Sequence, residues 1–154
     1  MVNHFISYRV EERSYVSYIK REIHNQLSRG KFSPKQVGEI DIIVSEISSN
    51  VIKHAGSGEL LYRIQNIDET TSRFEIISID KGPGIADTAR MMKDGVSTTN
   101  TLGQGLGAIN RLSETTQLYS IPGWGTILFS RVTTNQKRAL QKKTGDLEIR
   151  DFYV

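Results

Sequence analysis

Three short stretches place polar side chains and glycines at spacings suited to phosphate chemistry. The first is Glu46-Ile47-Ser48-Ser49-Asn50-Val51-Ile52-Lys53-His54-Ala55. On a helix, Glu46, Asn50 and either Lys53 or His54 share one face, because residues three and four apart lie above one another. A carboxylate, an amide oxygen and a cation aligned this way can hold a hard divalent ion, orient a hydroxyl and meet a phosphate. Mg²⁺ keeps several of its waters, so one protein oxygen can be enough. The plainer reading is the polar outer face of an amphipathic helix. The second stretch is Asp80-Lys81-Gly82-Pro83-Gly84-Ile85, directly after the apolar run Phe74–Ile79. Its glycines permit close approach of a flat ligand, and a carboxylate at a strand end can accept from the exocyclic amine of a purine. A tight Asp-Gly turn would look the same. The third is Gly103-Gln104-Gly105-Leu106-Gly107-Ala108, preceded by Ser97-Thr98-Thr99-Asn100-Thr101. Glycines opening a helix leave free amides that favour an anion, and the hydroxyls before them suit a lid over a triphosphate. A surface loop is the alternative.

Two better-known phosphate signatures fail on context. Gly103-x-Gly105-x-x-Ala108 follows a polar loop instead of a buried strand, and no acid lies about 20 residues beyond it. No Gly-Lys-Ser/Thr follows the glycines, so there is no P-loop.

The elements that must hold these stretches can be read from periodicity. His4–Val10 alternates and predicts a strand. Between Glu11 and Arg29, Val16, Ile19, Ile23 and Leu27 recur at helical steps, with an end near Gly30. Ser33 is a helix N-cap with Pro34 at the first turn and Gln36 three residues on. The stripe Val37, Ile40, Val44, Ile47, Val51 carries that helix to about His54, and Gly56-Ser57-Gly58 ends it. Strands follow at Leu60–Gln65 and Arg73–Ile79, then a short helix at Asp87–Lys93, a polar loop at Asp94–Gly103 and a helix at Gly105–Thr115. A hairpin of Gln117–Ile121 and Thr126–Val132 closes across Pro122-Gly123-Trp124-Gly125. Paired strands with helices between them predict an α+β, two-layer sandwich, its sheet mixed but mainly antiparallel and covered on one face by helices.

Bulk composition narrows the function classes. A chain of 154 residues fits one domain. With no cysteine, thiol catalysis and cysteine-ligated metals are excluded. No apolar run approaches the roughly 20 residues of a membrane span, and the N-terminus lacks a signal-peptide layout. The expectation is therefore cytoplasmic, without membrane contact. A net charge of +3, with aromatics not interleaved among the basic residues, argues against nucleic acid. His24 reads as a helix-edge residue and not as a phosphate acceptor.

The three stretches, in this order and spacing, resemble the asparagine box and the two glycine boxes of the GHKL (histidine-kinase-like) ATPases, over about Ser33 to Val132. Asn50-x-x-Lys53-His54-Ala55, Asp80-Lys81-Gly82-Pro83-Gly84-Ile85 and Gly95-Val96-Ser97-Thr98 are most similar to the bacterial anti-sigma-factor serine kinases and stress-response switch kinases. The resemblance implies a Bergerat-type fold over residues 1–132, with 133–154 a polar, basic tail or a linker to a further domain. It implies ATP/ADP and Mg²⁺ as ligands, with Asn50 on the metal and Asp80 on the adenine amine. Glu46 would be the general base for a partner's serine. Gly103, Gly105 and Gly107 would meet phosphates, and Thr126 would lie beside Asp80. Lys53, His54, Gly82, Gly84, Ile85, Ser97, Thr98, Thr99 and Leu106 complete the implied nucleotide site. The implied partner is a regulatory protein of the anti-sigma-antagonist or sigma-factor type, and a homodimer is compatible with that branch. Two other readings stay open: a nucleotide-dependent protein-binding switch without phosphoryl transfer, and the N-terminal regulatory domain of a larger phosphatase. The apolar ending Leu147–Val154 fits a chain cut from a longer protein.

Overall fold

The computed structural model describes residues 4–86 and 101–135. In chain order the elements are β1 (Ile6–Val10), α1 (Arg13–Ser28), α2 (Pro34–Ala55), β2 (Gly58–Asn66), β3 (Ser72–Asp80), α3 (Thr101–Leu112), β4 (Thr115–Ile121) and β5 (Gly125–Thr133). The short helix expected at Asp87–Lys93 and most of the loop after it lie outside the described residues.

α2 is the spine of the helical layer, and its start is written in its first residues. The Ser33 side chain accepts from the Gln36 backbone N–H while the Gln36 side chain accepts from the Ser33 N–H, a reciprocal capping box, with Pro34 in the first turn. Gln36 also donates to the Thr133 and Thr134 carbonyls, which ties the helix start to the end of β5. Val37, Ile40, Ile43, Val44, Ile47 and Val51 bury the inner face. At the other end Gly56, with φ of 82°, turns the chain into β2.

The sheet has five strands in the order β1-β2-β3-β5-β4, and every pairing among the described residues is antiparallel. Register puts Tyr8, Leu60, Ser78 and Leu128 in one row and Tyr62, Ile76 and Ser130 in another, so alternate residues of every strand face the helices. Leu60, Tyr62, Phe74, Ile76, Leu118 and Leu128 pack there against α2 and its neighbours. The same parity carries Asp80 and Thr126, which pair across β3 and β5, to the helical side.

The opposite face of the sheet carries Glu75, almost fully buried between Arg63 (2.7 Å) and Arg131 (2.8 Å). Burial alone would raise its carboxyl, but the hydrogen bonds and charge of Arg131 and Arg63 outweigh that and hold it below the usual range. The Phe5 ring lies 4.4 Å from the Arg63 guanidinium carbon.

α3 departs from the sequence expectation at both ends. Its backbone is already helical at Thr101, so Gly103 sits inside the helix and not in a loop before it. It stops at Leu112, short of Thr115, because β5 captures the chain there. Ser113 and Ser130 share a hydroxyl contact of 2.6 Å, and the Glu114 N–H donates to the Arg131 carbonyl at 2.8 Å. Strand β4 consequently begins at Thr115, ahead of the expected Gln117.

Candidate functional site

The C-terminal half of α2, the end of β3 with the turn after it, the start of β5 and the face of α3 converge on one pocket. Asn50, Val51, His54, Asp80, Pro83, Gly84, Ile85, Leu106 and Thr126 line it, with Ser78 and Leu128. Helical spacing puts Asn50 and His54 on the same side of α2, and the strand parity described above brings Asp80 and Thr126 to meet them. Lys53, the other residue considered for this face, is exposed and does not line the pocket. Glu46, one turn before Asn50, is half-buried and lies against α3.

The electrostatics are those of a site prepared for a polar ligand. Burial raises the Asp80 carboxyl above its ordinary range, against hydrogen bonds from the Gly82 and Thr126 backbone N–H groups and the nearby His54. Burial, then the Lys53 charge, lowers the His54 imidazole, with Asp80 opposing. The Asn50 side-chain nitrogen and His54 Nε2 are both buried with no hydrogen-bond partner. An unsatisfied buried polar group costs roughly 1–3 kcal/mol, so two of them in one small pocket mark where a ligand's polar atoms would be stabilising.

The turn after β3 is held by contacts that sequence reasoning did not find. The Gly82 N–H donates to Asp80 Oδ1 at 2.9 Å. Ile85 N–H donates to the Ser120 hydroxyl at 2.7 Å, and that hydroxyl lies 2.8 Å from Thr126 Oγ1 and 3.0 Å from the Gly125 carbonyl. Ser120 thus ties the Ile85 turn to the residue beside Asp80. Its only sequence signal was its place on an expected strand. The Gly123 N–H donates to the Pro83 carbonyl at 2.7 Å, so the β4–β5 turn, with Trp124 79% exposed at its tip, is also joined to the loop. Gly84 has φ of 74°, and a β-carbon there would run into the Ile121 carbonyl.

The glycine-rich helix plays a part different from a free lid. A β-carbon on Gly105 would lie 2.6 Å from Glu46 Oε2 and 3.4 Å from Asn50 Oδ1. α3 therefore packs its glycine face directly on the polar face of α2. Leu106 lines the pocket and Gly107 is buried. The cavity between them is about 90 Å³, well below the ~300 Å³ at which small-molecule sites begin. A nucleotide needs more room than this, so residues around the pocket must shift to admit one. Ser97, Thr98 and Thr99 lie outside the described residues. A larger cavity of about 610 Å³ lies at the opposite end of the sheet and contains none of these residues.

The donors fit a magnesium nucleotide. The Asn50 amide supplies a hard oxygen of the kind Mg²⁺ accepts, Asp80 supplies an acceptor for an amine, and the partnerless His54 nitrogen is available to a phosphate oxygen.

The chain is similar to known proteins over most of its length. The family of the histidine kinase-like ATPase domain matches residues 10–129. Serine/threonine-protein kinase RsbT of Bacillus subtilis (strain 168) is 36% identical over 95 residues, 62% of this chain and 71% of that protein. Among solved structures, a chain of the SiaB–SiaC complex from Pseudomonas aeruginosa aligns with a TM-score of 0.53 at 13% identity, over 83% of this chain and 89% of that one, a likeness of fold. Among the described residues, no helix is long and apolar enough to cross a membrane.

Proposed function

The chain belongs to the histidine kinase-like ATPase domain family, and from that membership we propose that it is a Mg·ATP-dependent protein serine/threonine kinase whose substrate is a regulatory protein of the anti-sigma-antagonist type. One observation carries the reading: Asp80, Thr126 and the partnerless Asn50 and His54 nitrogens line one pocket, with Glu46 one helical turn away. The relative RsbT is named a serine/threonine kinase, which supports the same reaction here.

Phosphoryl transfer asks mostly for positioning and charge stabilisation. In this reading Asp80 accepts from the adenine amine, and Ser120 keeps Thr126 and the Ile85 turn in place beside it. The Asn50 amide oxygen would hold the metal, which would supply neutralisation of charge on the phosphates. The amides at the start of α3 face the phosphates. Glu46 accepts the proton of the partner's serine hydroxyl as its oxygen bonds to the γ-phosphorus and the bond to ADP breaks.

Calorimetry with Mg·ATP tests the site. The wild-type chain should bind, while Asp80→Asn and Asn50→Ala should each lose binding by about tenfold or more, the scale of a charge-assisted contact. Glu46→Gln should bind normally yet fail to phosphorylate any of a panel of anti-sigma-antagonist proteins that the wild type modifies. The closed cavity of about 90 Å³ favours a second reading, a switch in which nucleotide opens α3 without transfer. Binding by the wild type with no phosphoprotein formed from any partner would select it. An Asp80→Asn chain that binds as well as wild type would remove both.

A further inference from the structure

The cavity of about 610 Å³ lies where α1 ends, α2 begins and the strands β1 and β2 pass beneath them. It is remote from the nucleotide pocket, because α2 runs the length of the domain between them. Its size falls within the ~300–1,000 Å³ of small-molecule sites. Ile6, Phe32, Tyr62 and Ile64 give it an apolar lining. Arg29, Lys31 and Arg63 stand on its walls, and no carboxylate lines it.

The three cations are not equivalent. Arg63 is committed to Glu75. Lys31 donates to the Asp68 carbonyl at 3.0 Å and makes no ion pair among the described residues. Arg29 has no side-chain hydrogen bond or ion pair among the described residues, and it is exposed at the rim. The carbonyl end of α1 lies on the same rim, but two full positive charges outweigh the roughly half negative charge of a helix C-terminus. Gln26 adds a fixed polar group: its Nε2 donates to the Tyr62 hydroxyl at 3.0 Å, leaving its carbonyl oxygen for a ligand donor.

We propose that this cavity is a second ligand site, for a small amphiphilic anion whose ring or short acyl body fills the space over Phe32 and Ile64 and whose carboxylate or sulfonate meets Arg29 and Lys31. An apolar enclosure with a few convergent polar groups is the usual form of such sites. The one-sided charge selects an anion over a neutral or cationic amphiphile. The site shares no residue with the nucleotide pocket, so its occupancy stands or falls independently of the kinase reading.

The experiment uses the whole chain and the fluorescent probe 8-anilinonaphthalene-1-sulfonate, with decanoate and decanol as competitors. One dye should bind per chain, stay bound under saturating Mg·ATP, and be displaced by decanoate at a concentration at least about tenfold lower than by decanol. Arg29→Glu combined with Lys31→Glu should weaken dye binding by roughly tenfold or more. These are surface changes, so the melting curve should stay that of the wild type. Ile64→Trp, which fills the cavity, should abolish the dye signal independently. Dye affinity unchanged in the charge-reversed chain, equal competition by decanol and decanoate, displacement by Mg·ATP, or no binding of dye and decanoate would each overturn the proposal.

Discussion

Replacing Gly105 by alanine should separate the stability of this domain from its chemistry. The added methyl would stand 2.6 Å from Glu46 Oε2, roughly 0.8 Å short of the 3.4 Å at which ordinary contact begins. The Asn50 amide atoms, at 3.4 and 3.5 Å, already clear it. Glu46 is the end of a flexible side chain, so the carboxylate swings away and the helices keep their spacing. In a helix interior alanine is favoured over glycine by up to about 1 kcal/mol, which offsets the disturbance. The melting temperature should therefore hold or rise by up to about 4 °C, since 1 kcal/mol is worth about 2–4 °C in a chain of this size. Transfer should behave otherwise. A base misplaced by about 1 Å can cost on the order of 10²-fold, so kcat for partner phosphorylation should fall by roughly that factor. The assays are a thermal melt by circular dichroism and transfer from γ-labelled ATP at saturating nucleotide. A variant within about threefold of the wild-type rate would refute the placement of Glu46 as base. A variant destabilised by more than about 2 kcal/mol would refute the claim that the carboxylate can yield.

Other perturbations test other parts. Ser33→Ala removes the hydroxyl half of the α2 capping box while the backbone N–H at that position still donates to Gln36, and should destabilise the domain by about 1 kcal/mol in urea unfolding, with nucleotide affinity unchanged. Ser120→Ala frees the Ile85 turn and Thr126, so the dissociation constant for Mg·ATP by calorimetry should rise by about fivefold to tenfold while the melting temperature moves little. An unchanged constant would mean that the turn holds without that hydroxyl. Glu75 has its carboxyl held below the usual 4.5, so its contribution is present above that pH and is lost as pH falls through the lowered value. Glu75→Gln should be less stable near neutrality and show a flatter acid limb when urea midpoints are compared between pH 7 and about pH 3.

Most of the fold was legible because its signals are local. The Ser33-Pro34-x-Gln36 cap, the α2 stripe and the alternation in β2 and β3 each point to one structure without help from distant residues. The two ends of α3 were misplaced for opposite reasons. Gly103 reads as loop by propensity, with the helix expected from Gly105, yet the helix already runs from Thr101, and the missing side chain at Gly105 lets it lie on Glu46 and Asn50, so packing overrides propensity. The Ser113–Ser130 and Glu114–Arg131 contacts that end the helix join residues far apart in sequence, so nothing local announces them. The pocket was legible as far as spacing reaches. Periodicity left Lys53 and His54 equal, and only the roll of α2 against the sheet turns His54 inward. Ser120 and the closed state of the cavity depend wholly on tertiary contact.

Trp124 is the sole tryptophan of the chain, and it sits in water on a turn whose neighbour, Gly123, is hydrogen-bonded to Pro83 in the lining of the proposed nucleotide pocket. Its indole therefore works as an intrinsic optical gauge: its emission starts from a solvent-exposed baseline, and any rearrangement of the loop below it is read without a label. Rapid mixing with nucleotide could time the opening of this domain in the native chain, from the light of a single residue.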